Sequence, residues 1–299
     1  LRGMRLLSLG DRVARGRYGL LTCYGRAANY AGPAGFISVV SPRVGAGPVN
    51  LVVSEEPVPR AESVRVAGGA VWLGARRLPT GDADVYSSGV RAIGLDPGTS
   101  AREIAALESA LVRWAPARSM AFVLDGTRLR EFRTTFERAL AAGLAAGARL
   151  LVQGEMAEAA RRLGGCGFGL TPSGDDFLCG FLIGLNAMDA RSGGRFTRSI
   201  ATIRGALAGE TAMVRTFLEL SAAGRAHSSV GNLLRVLVGR GAGRVPSAVA
   251  EVLAHGATSG ADLAVGLVGA FRHAVLGTVA AGTRRAREEF GREGARWSF

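Results

Sequence analysis

The stretch GFGLTPSGDDF (residues 167–177) joins a glycine-rich turn to two adjacent aspartates, and an apolar run follows it directly. Gly167 and Gly169 permit backbone conformations that residues with a Cβ atom avoid. Ser173 is a favourable N-cap, and Asp176 stands three residues later, where the acid of a capping box stands. The stretch therefore predicts a tight turn that leads into a buried helix.

The second acid of this stretch is more than a helix start requires. A helix begins with free N–H groups and the positive end of its dipole, which together favour an anion. One acid is enough for capping, so Asp175 predicts a further role as a general base, a substrate acceptor or, with Asp176, a ligand of Mg²⁺. The alternative is that both acids only complement the helix dipole. The sequence leaves both interpretations open.

The same pattern returns further along the chain. TSGADLAVGLVGA (258–270) aligns with PSGDDFLCGFLIG (172–184), and both have the form Ser-Gly-x-Asp-x-x-x-Gly followed by apolar residues. Each segment predicts a capped helix in which a glycine further along lets another backbone approach closely. We therefore predict that the two helices pack together, with their N-termini close to one polar pocket. Chance similarity of two capping boxes is the alternative.

Strand-like runs precede this region. We predict strands at 35–41 and 49–54 joined by a hairpin-like connection, two more within 63–78 around Gly68-Gly69, another at 120–125, and a helix over 100–115.

From about residue 126 an alanine-rich pattern of helical period takes over. It predicts two helices before Gly164-Gly165 and further helices at about 175–190, 198–222, 228–239, 246–254 and 260–280. The predicted fold class is α+β: a β-rich domain over residues 1–127, either a barrel or a layered sheet, packs on a mainly helical domain over 128–299. The helical domain carries the LTPSGDD loop.

The absence of lysine from the chain excludes several kinds of chemistry. All 37 basic residues are arginine, and the formal net charge is +13. Without lysine there is no P-loop lysine, no Schiff base to pyridoxal phosphate and no lysine general base. The arginines are spread along the chain, often beside acids, so the charge alone is weak support for nucleic-acid binding and we expect no nucleic-acid partner.

Cysteine usage and hydropathy predict the compartment. Three cysteines without a CxxC pair are typical of a reducing environment. The most apolar run, FLCGFLIGLNAM (177–188), is too short to cross a bilayer, and the first residues lack a signal-peptide pattern. We expect a cytoplasmic protein with no membrane partner.

Three segments together resemble one protein family, that of the AllH-type subunit of oxamate carbamoyltransferase. They are ISVVSPRVGAGPVNLVV (37–53), GFGLTPSGDDFLCGFL (167–182) and HGATSGAD (255–262). The resemblance implies a part in anaerobic purine (allantoin) catabolism, in which oxalurate and phosphate yield oxamate and carbamoyl phosphate. It also implies partner subunits, with a homo-oligomer as the alternative.

The predicted site combines these motifs around a small anionic substrate. Asp175, Asp176 and Asp262 are the predicted catalytic residues, and Mg²⁺ is the one cofactor that the first two could hold. The predicted substrate contacts are Asn50, Gly169, Thr171, Ser173, Gly174, His255, Thr258, Ser259 and Gly260. Asn50 would place the site between the two domains.

Two alternatives remain open for this loop. Cys166 adjoins it and could act as a nucleophile, although its sequence context favours a small buried thiol. The whole chain could also be a non-catalytic subunit whose loops only cap packed helices.

Overall fold

The computed structural model describes residues 3–96, 101–207, 211–239 and 241–281, with the backbone alone for 276–281. Within these ranges a curled, half-barrel sheet of nine strands comes first, and a mainly helical region follows it. The predicted α+β class, with a β-rich N-terminal part and a helical C-terminal part, is confirmed.

The sheet is built from short strands in a mixed order. The strands are β1 Leu6–Gly10, β2 Gly16–Cys23, β3 Ala27–Gly32, β4 Gly35–Val40, β5 Asn50–Val53, β6 Ser63–Ala67, β7 Ala70–Leu73, β8 Arg76–Pro79 and β9 Asp84–Tyr86. Their order in the sheet is β8-β7-β6-β2-β3-β4-β5-β1-β9. One face buries a cluster of aromatic and branched side chains that includes Tyr18, Tyr30 and Val39.

The predicted hairpin between β4 and β5 is wrong. The two strands are parallel neighbours, with Ser38 opposite Asn50. The connection over 41–49 can extend up to about 30 Å, which exceeds the length of about 20 Å of a six-residue strand. The chain therefore returns to the starting end of β4 before β5 begins, and on its way it contacts the helical part, where Ser228 N–H donates to the carbonyl of Ala46 (2.9 Å).

The helices begin after the sheet is complete. They are α1 Ala101–Trp114, α2 Thr135–Gln153, α3 Met156–Leu163, α4 Ser173–Asp189, α5 Thr197–Ala206, α6 Ala212–Ala222, α7 Ser228–Val238, α8 Val245–Leu253 and α9 Ser259–Ala281. The strand predicted at 120–125 is instead a 3₁₀ helix, Met120–Val123, and the helix predicted over 198–222 is two, α5 and α6. The predicted boundary between the two domains, at residues 127 and 128, stays a prediction. Helix α1 precedes this boundary, yet it packs against α8 and α9 of the helical part.

Helices α4 and α9 form the centre of the helical part. Every residue of α4 is buried, and its glycine face lies directly on α9. A Cβ atom at Gly180 would lie 1.8 Å from the carbonyl oxygen of Leu263, and one at Gly266 would lie 2.1 Å from that of Phe177. Only glycine permits this approach, so these two positions fix how closely the helices cross.

The sheet joins the helices through a small apolar contact. Phe36 of β4 meets Phe217 of α6 edge to face, with ring centroids 5.5 Å apart, and Val49 and Met213 pack beside them. None of the helices in the described ranges has the length and hydropathy needed to cross a membrane.

Candidate functional site

The turn before α4 is set by proline and glycine. Pro172, with φ −58° and ψ 144°, is the N-cap, and its carbonyl accepts from the N–H groups of Asp175 (3.0 Å) and Asp176 (3.1 Å). Ser173, the predicted N-cap, is instead the first helical residue, because Pro172 already supplies the non-helical conformation. The Ser173 side chain is thereby free to face the neighbouring helix.

Two glycines let this turn fold back on the helix start. Gly167 has φ +142°, and a Cβ atom there would lie 2.2 Å from the backbone nitrogen of Ser173. Gly174 donates its N–H to the carbonyl of Cys166 (2.8 Å), and a Cβ atom there would lie 2.1 Å from the carbonyl oxygen of Leu163. Gly169, at φ +92°, lies on the exposed part of the turn.

Asp175 holds the turn in place. Its side chain is 3% exposed, and Oδ2 accepts from the N–H of Gly165 at 3.0 Å. Burial raises the pKa of the nearby Cys166 thiol, and the charge of Asp175 raises it further. Cys166 therefore has little thiolate character, which favours the interpretation as a structural thiol.

Asp176 faces the other helix start. Its Oδ2 accepts from Thr171 Oγ1 at 2.9 Å, and Thr171 Oγ1 lies 2.9 Å from Ser259 Oγ at the start of α9. Burial raises the pKa of Asp176 to about 8; the negative charge of Asp262 adds to this, while the hydroxyls of Ser259 and Thr171 oppose it. The carboxyl is thus mainly protonated at neutral pH.

Asp262 is the most deeply buried of the three acids. It has no exposed surface, and Oδ1 accepts from the N–H of Met120 at 2.6 Å. Burial raises its pKa to about 6, an increase opposed by the Met120 N–H and by the facing hydroxyls of Ser173 and Thr258. Its Oδ2 forms no hydrogen bond of regular geometry within the ranges described.

The side-chain contacts at the starts of α4 and α9 are reciprocal. Asp176 of α4 faces Ser259 of α9, and Asp262 of α9 faces Ser173 of α4. The backbones follow the same relation, since Gly260 donates to the carbonyl of His255 (3.0 Å) as Gly174 does to that of Cys166. We call Asp175, Asp176 and Asp262, with the hydroxyls of Thr171, Ser173, Thr258 and Ser259, the carboxylate cluster.

Two predicted contacts belong to a second group. Asn50, 9% exposed, donates Nδ2–H to the carbonyl of Gly45 (3.0 Å) in the β4–β5 connection. This connection lies against His227, whose ring is 4.2 Å from that of His255, centroid to centroid. Ser229 Oγ lies 3.0 Å from His255 Nε2. We call His227, Ser229 and His255 the histidine cluster.

The sequence alone did not predict His227 or Ser229 as members of a functional site. His227 has no visible partner in the sequence, because its neighbours come from a loop about 180 residues earlier and a turn 28 residues later. The one local signal is the sequence His-Ser-Ser ahead of an apolar run, where His227 is the N-cap of α7 and its side chain accepts from the N–H of Ser229.

These two clusters lie in one stretch of the chain that matches a family model. Residues 163–271 match the family model described as oxamate carbamoyltransferase subunit AllH. The match runs from the end of α3 into α9, so it contains both helix starts and the whole histidine cluster. It confirms the resemblance to this family predicted from the segments at 167–182 and 255–262, whereas the segment at 37–53 lies outside the match. No curated protein and no solved structure matches the chain.

The AllH-matching segment does not present a ready metal site. The described residues contain no group of three or more His, Cys, Asp or Glu side chains that could hold a metal ion. Asp175 and Asp176 are adjacent on a helix, so their side chains point about 100° apart. Asp175 contacts Gly165 and Asp176 contacts Thr171. As arranged, they do not converge on one ion.

A cavity of about 360 Å³ lies elsewhere, along α2. It is lined by Leu129, Arg138, Ala141, Ala142, Ala145, Ala146 and Arg149. These residues precede the AllH-matching segment and carry neither hydroxyls nor carboxylates. Among the described residues that line it, Arg138 and Arg149 are the charged ones.

Proposed function

We propose that the protein is a subunit of a carbamoyltransferase of the oxamate type, and that it binds a small anionic substrate where α4 and α9 begin. The reaction would convert oxalurate and phosphate to oxamate and carbamoyl phosphate. The observation that carries the proposal is the reciprocal arrangement of Asp176 with Ser259 and of Asp262 with Ser173. It lies inside the segment that matches AllH.

The electrostatics of the cluster support an anion. Two helix N-termini direct partial positive charge toward the same place. Burial raises the pKa of Asp176 to about 8, so at neutral pH this carboxyl adds no negative charge and can donate a hydrogen bond. Asp262, with a pKa of about 6, is mainly ionised and can accept from a carbamoyl NH₂ group.

Carbamoyl transfer needs mostly positioning and stabilisation of a developing oxyanion. In this proposal the hydroxyls of Thr171, Ser173, Thr258 and Ser259 and the backbone at Gly169 supply hydrogen bonds to the substrate. The predicted contacts Gly174 and Gly260 instead shape the two helix starts, because their N–H groups donate to the carbonyls of Cys166 and His255. Asn50 and His255 contribute from the sheet-facing side. Mg²⁺ takes no step, because Asp175 and Asp176 contact different partners.

The proposal includes partner subunits and a cytoplasmic location. The AllH description names a subunit, which supports an assembly with other chains. Cys23, Cys166 and Cys179 are all free, as is usual for a protein that works under reducing conditions.

Thermal unfolding with phosphate, carbamoyl phosphate, oxamate and oxalurate tests the proposal. A ligand at 100 times its Kd stabilises a protein by about 2.7 kcal/mol, which raises the Tm of a chain of this size by several degrees. We expect a shift that Asp176→Ala weakens, because alanine removes the hydrogen-bonding group, and that Asp82→Ala, at an exposed position, leaves unchanged. The absence of a shift with all four ligands would contradict direct binding by this chain.

A specific observation favours a second function, assembly without catalysis. Phe136 and Phe168 are 67% and 55% exposed and meet edge to face at 5.8 Å beside the glycine turn, where Leu170 is also exposed. Exposed apolar groups of this kind mark contacts with other proteins. Unchanged activity of a reconstituted complex that carries Asp176→Ala would favour this function.

A further inference from the structure

The histidine cluster holds a serine between two imidazole rings. Ser229 Oγ lies 3.0 Å from His255 Nε2 and 3.1 Å from His227 Nδ1. Both separations are within the range over which a side-chain base abstracts a proton from a hydroxyl. The three side chains come from the start of α7 and from the turn before α9, so the tertiary fold brings them together.

His227 fixes the serine in place. As the N-cap of α7, its Nδ1 accepts from the backbone N–H of Ser229 at 3.3 Å, which places the ring proton of the neutral form on Nε2. The ring fits closely against glycine, since a Cβ atom at Gly47 would lie 3.1 Å from its Cδ2 atom. Nε2 is buried and forms no regular hydrogen bond within the described part of the chain.

His255 is the better placed base. His227 Nδ1 already accepts from a backbone N–H, whereas the polar contact of His255 Nε2 is the serine hydroxyl. Burial lowers the pKa of His255, and it lowers that of His227 to about 3, with the neighbouring ring of His255 adding to the effect. Both rings are therefore neutral at neutral pH, and the strongly lowered pKa of His227 makes it a poor base, which leaves His255 as the group that takes the proton.

The helix start favours charge on the serine oxygen. Ser229 is the second residue of α7, an 11-residue helix, and the positive end of the helix dipole stabilises a developing alkoxide or oxyanion there. The site lies at the junction of the sheet and the helices, next to the β4–β5 connection, where Asn50 donates to the carbonyl of Gly45. A junction of this kind is a common place for a small-molecule site.

We propose that Ser229 is a nucleophile, activated by His255, that accepts an acyl or carbamoyl group from a small ester- or amide-type substrate. The Ser229 hydroxyl proton passes to His255 Nε2 as Oγ bonds to the substrate carbonyl carbon. The bond from that carbon to the leaving group then breaks, and His255 returns the proton to the leaving group. Water or another acceptor releases the group from Oγ by the reverse sequence.

This inference goes beyond the proposed function, with which it shares only His255, and it does not depend on anion binding by the carboxylate cluster. The carboxylate cluster could bind an anion with Ser229 inert, and Ser229 could be acylated with the carboxylate cluster serving only as a pair of helix caps. The test is therefore made on Ser229 directly, with a reagent unrelated to oxamate or phosphate.

The experiment treats the full chain with 4-nitrophenyl acetate and locates the acetyl group by mass spectrometry. The chain has no lysine, which removes the usual competing acceptor. Trypsin releases residues 226–235 as one peptide, and fragmentation of it separates Ser228 from Ser229. We expect an acetyl group on Ser229, its loss in Ser229→Ala, and a rate at least about 100-fold lower in His255→Gln.

Ser228→Ala is the matched control, because it removes the neighbouring hydroxyl at the same helix start. We expect it to keep the wild-type acetylation rate. An intact, folded wild-type chain without acetyl on Ser229, or a His255→Gln variant with the wild-type rate, would overturn the proposal. Circular dichroism of each variant separates loss of the nucleophile from loss of the fold, and the wild-type peptide map decides the question even if a variant does not fold.

Discussion

Asp262 is the acid on which the core of the helical part depends most. Its Oδ1 accepts from the N–H of Met120, and it has no exposed surface. Asp262→Ala leaves this buried N–H unsatisfied and removes packing, so we expect a loss of about 2–4 kcal/mol in the free energy of unfolding. Urea denaturation followed by circular dichroism measures it.

The matched comparisons are Asp262→Asn and Asp82→Ala. The asparagine side chain keeps a carbonyl acceptor for the Met120 N–H, so the loss should be smaller than with alanine. Asp82 is exposed, so the loss from its replacement should be within about 0.5 kcal/mol of zero. Equal losses from Asp262→Ala and Asp262→Asn would show that the hydrogen bond contributes nothing.

Asp176 gives the stability of the protein a defined pH dependence. Its pKa rises from 3.8 in the unfolded chain to about 8 in the fold, so the folded state binds more protons between these values. The stability contributed by this group is fully present below about pH 4 and is lost as the pH rises toward 8, by at most about 1.4 kcal/mol per pH unit. Asp176→Asn lacks this titration.

We therefore expect the difference in unfolding free energy, wild type minus Asp176→Asn, to fall steadily between pH 5 and pH 8. Urea midpoints at several pH values measure it, and Asp82→Asn, at an exposed position, is the control for the change from aspartate to asparagine itself. A constant difference for Asp176→Asn over this range would mean that the carboxyl is ionised throughout.

Part of the site is predictable from the sequence because its signals are local. The Ser-Gly-x-Asp pattern indicates a helix start within a few residues, and its repetition pairs Ser173 with Ser259. The Met120 N–H on Asp262 and the Ser229 hydroxyl on His255 join residues 142 and 26 positions apart. No local pattern encodes either contact, because the first depends on how the 3₁₀ helix Met120–Val123 packs on α9 and the second on how α7 packs against the turn before α9.

At the scale of elements, the crossing of α4 and α9 rests on glycine. In Gly180→Ala and Gly266→Ala the new methyl group would meet a backbone carbonyl of the other helix, at 1.8 Å and 2.1 Å. A backbone atom cannot move aside as a side chain can, so we expect each change to cost about 3 kcal/mol or more. Urea denaturation of the two variants measures the loss.

Gly205 of α5 is the matched control for these glycines. It is also helical, but a Cβ atom there would meet nothing within 4 Å. We expect Gly205→Ala to stabilise the protein by about 0.5 kcal/mol, since alanine has the better helix propensity. A similar response of all three positions would show that helix propensity, rather than close approach, governs them.

The wrong element predictions share a physical cause. Residues 120–123 are fully buried, and a short apolar run cannot distinguish a strand from a buried helical turn. The single helix predicted over 198–222 is interrupted, because α5 ends at Ala206 and Thr211 begins α6 as its N-cap, accepting from the N–H of Val214 (3.2 Å). The direction of β5 depends on pairing with β1 and β4, which local sequence does not show.

At the scale of the molecule, polar contacts tie the sheet to the helices. Asp11, just after β1, accepts from Ser88 N–H (3.2 Å), Ser88 Oγ–H (2.6 Å) and Arg225 Nη1–H (3.0 Å). Tyr86 of β9 donates its hydroxyl to the carbonyl of Ala226 (3.0 Å). Together with the apolar contact between β4 and α6, these bonds hold the sheet against the turn that leads into α7 and the histidine cluster.

Because these contacts join the sheet to the helices, we expect the two parts to unfold together. Asp11→Ala removes three hydrogen bonds at a partly buried position, so we expect the unfolding free energy to fall by about 1–3 kcal/mol. A chain with Trp114→Phe and Trp297→Phe reports the sheet alone through the fluorescence of Trp72, while circular dichroism at 222 nm reports the helices. Both signals should share one urea midpoint, and Asp11→Ala should lower both equally.

Glu55→Ala is the comparison for this prediction, because it breaks the ion pair with Arg76, in which both side chains are largely exposed. Such pairs contribute little, so both midpoints should stay where they are. If Asp11→Ala moved the Trp72 signal and left the helical signal in place, the sheet would unfold without the helices. The β4–β5 connection would then leave His227, and acetylation of Ser229 should slow at the urea concentration where the sheet is lost.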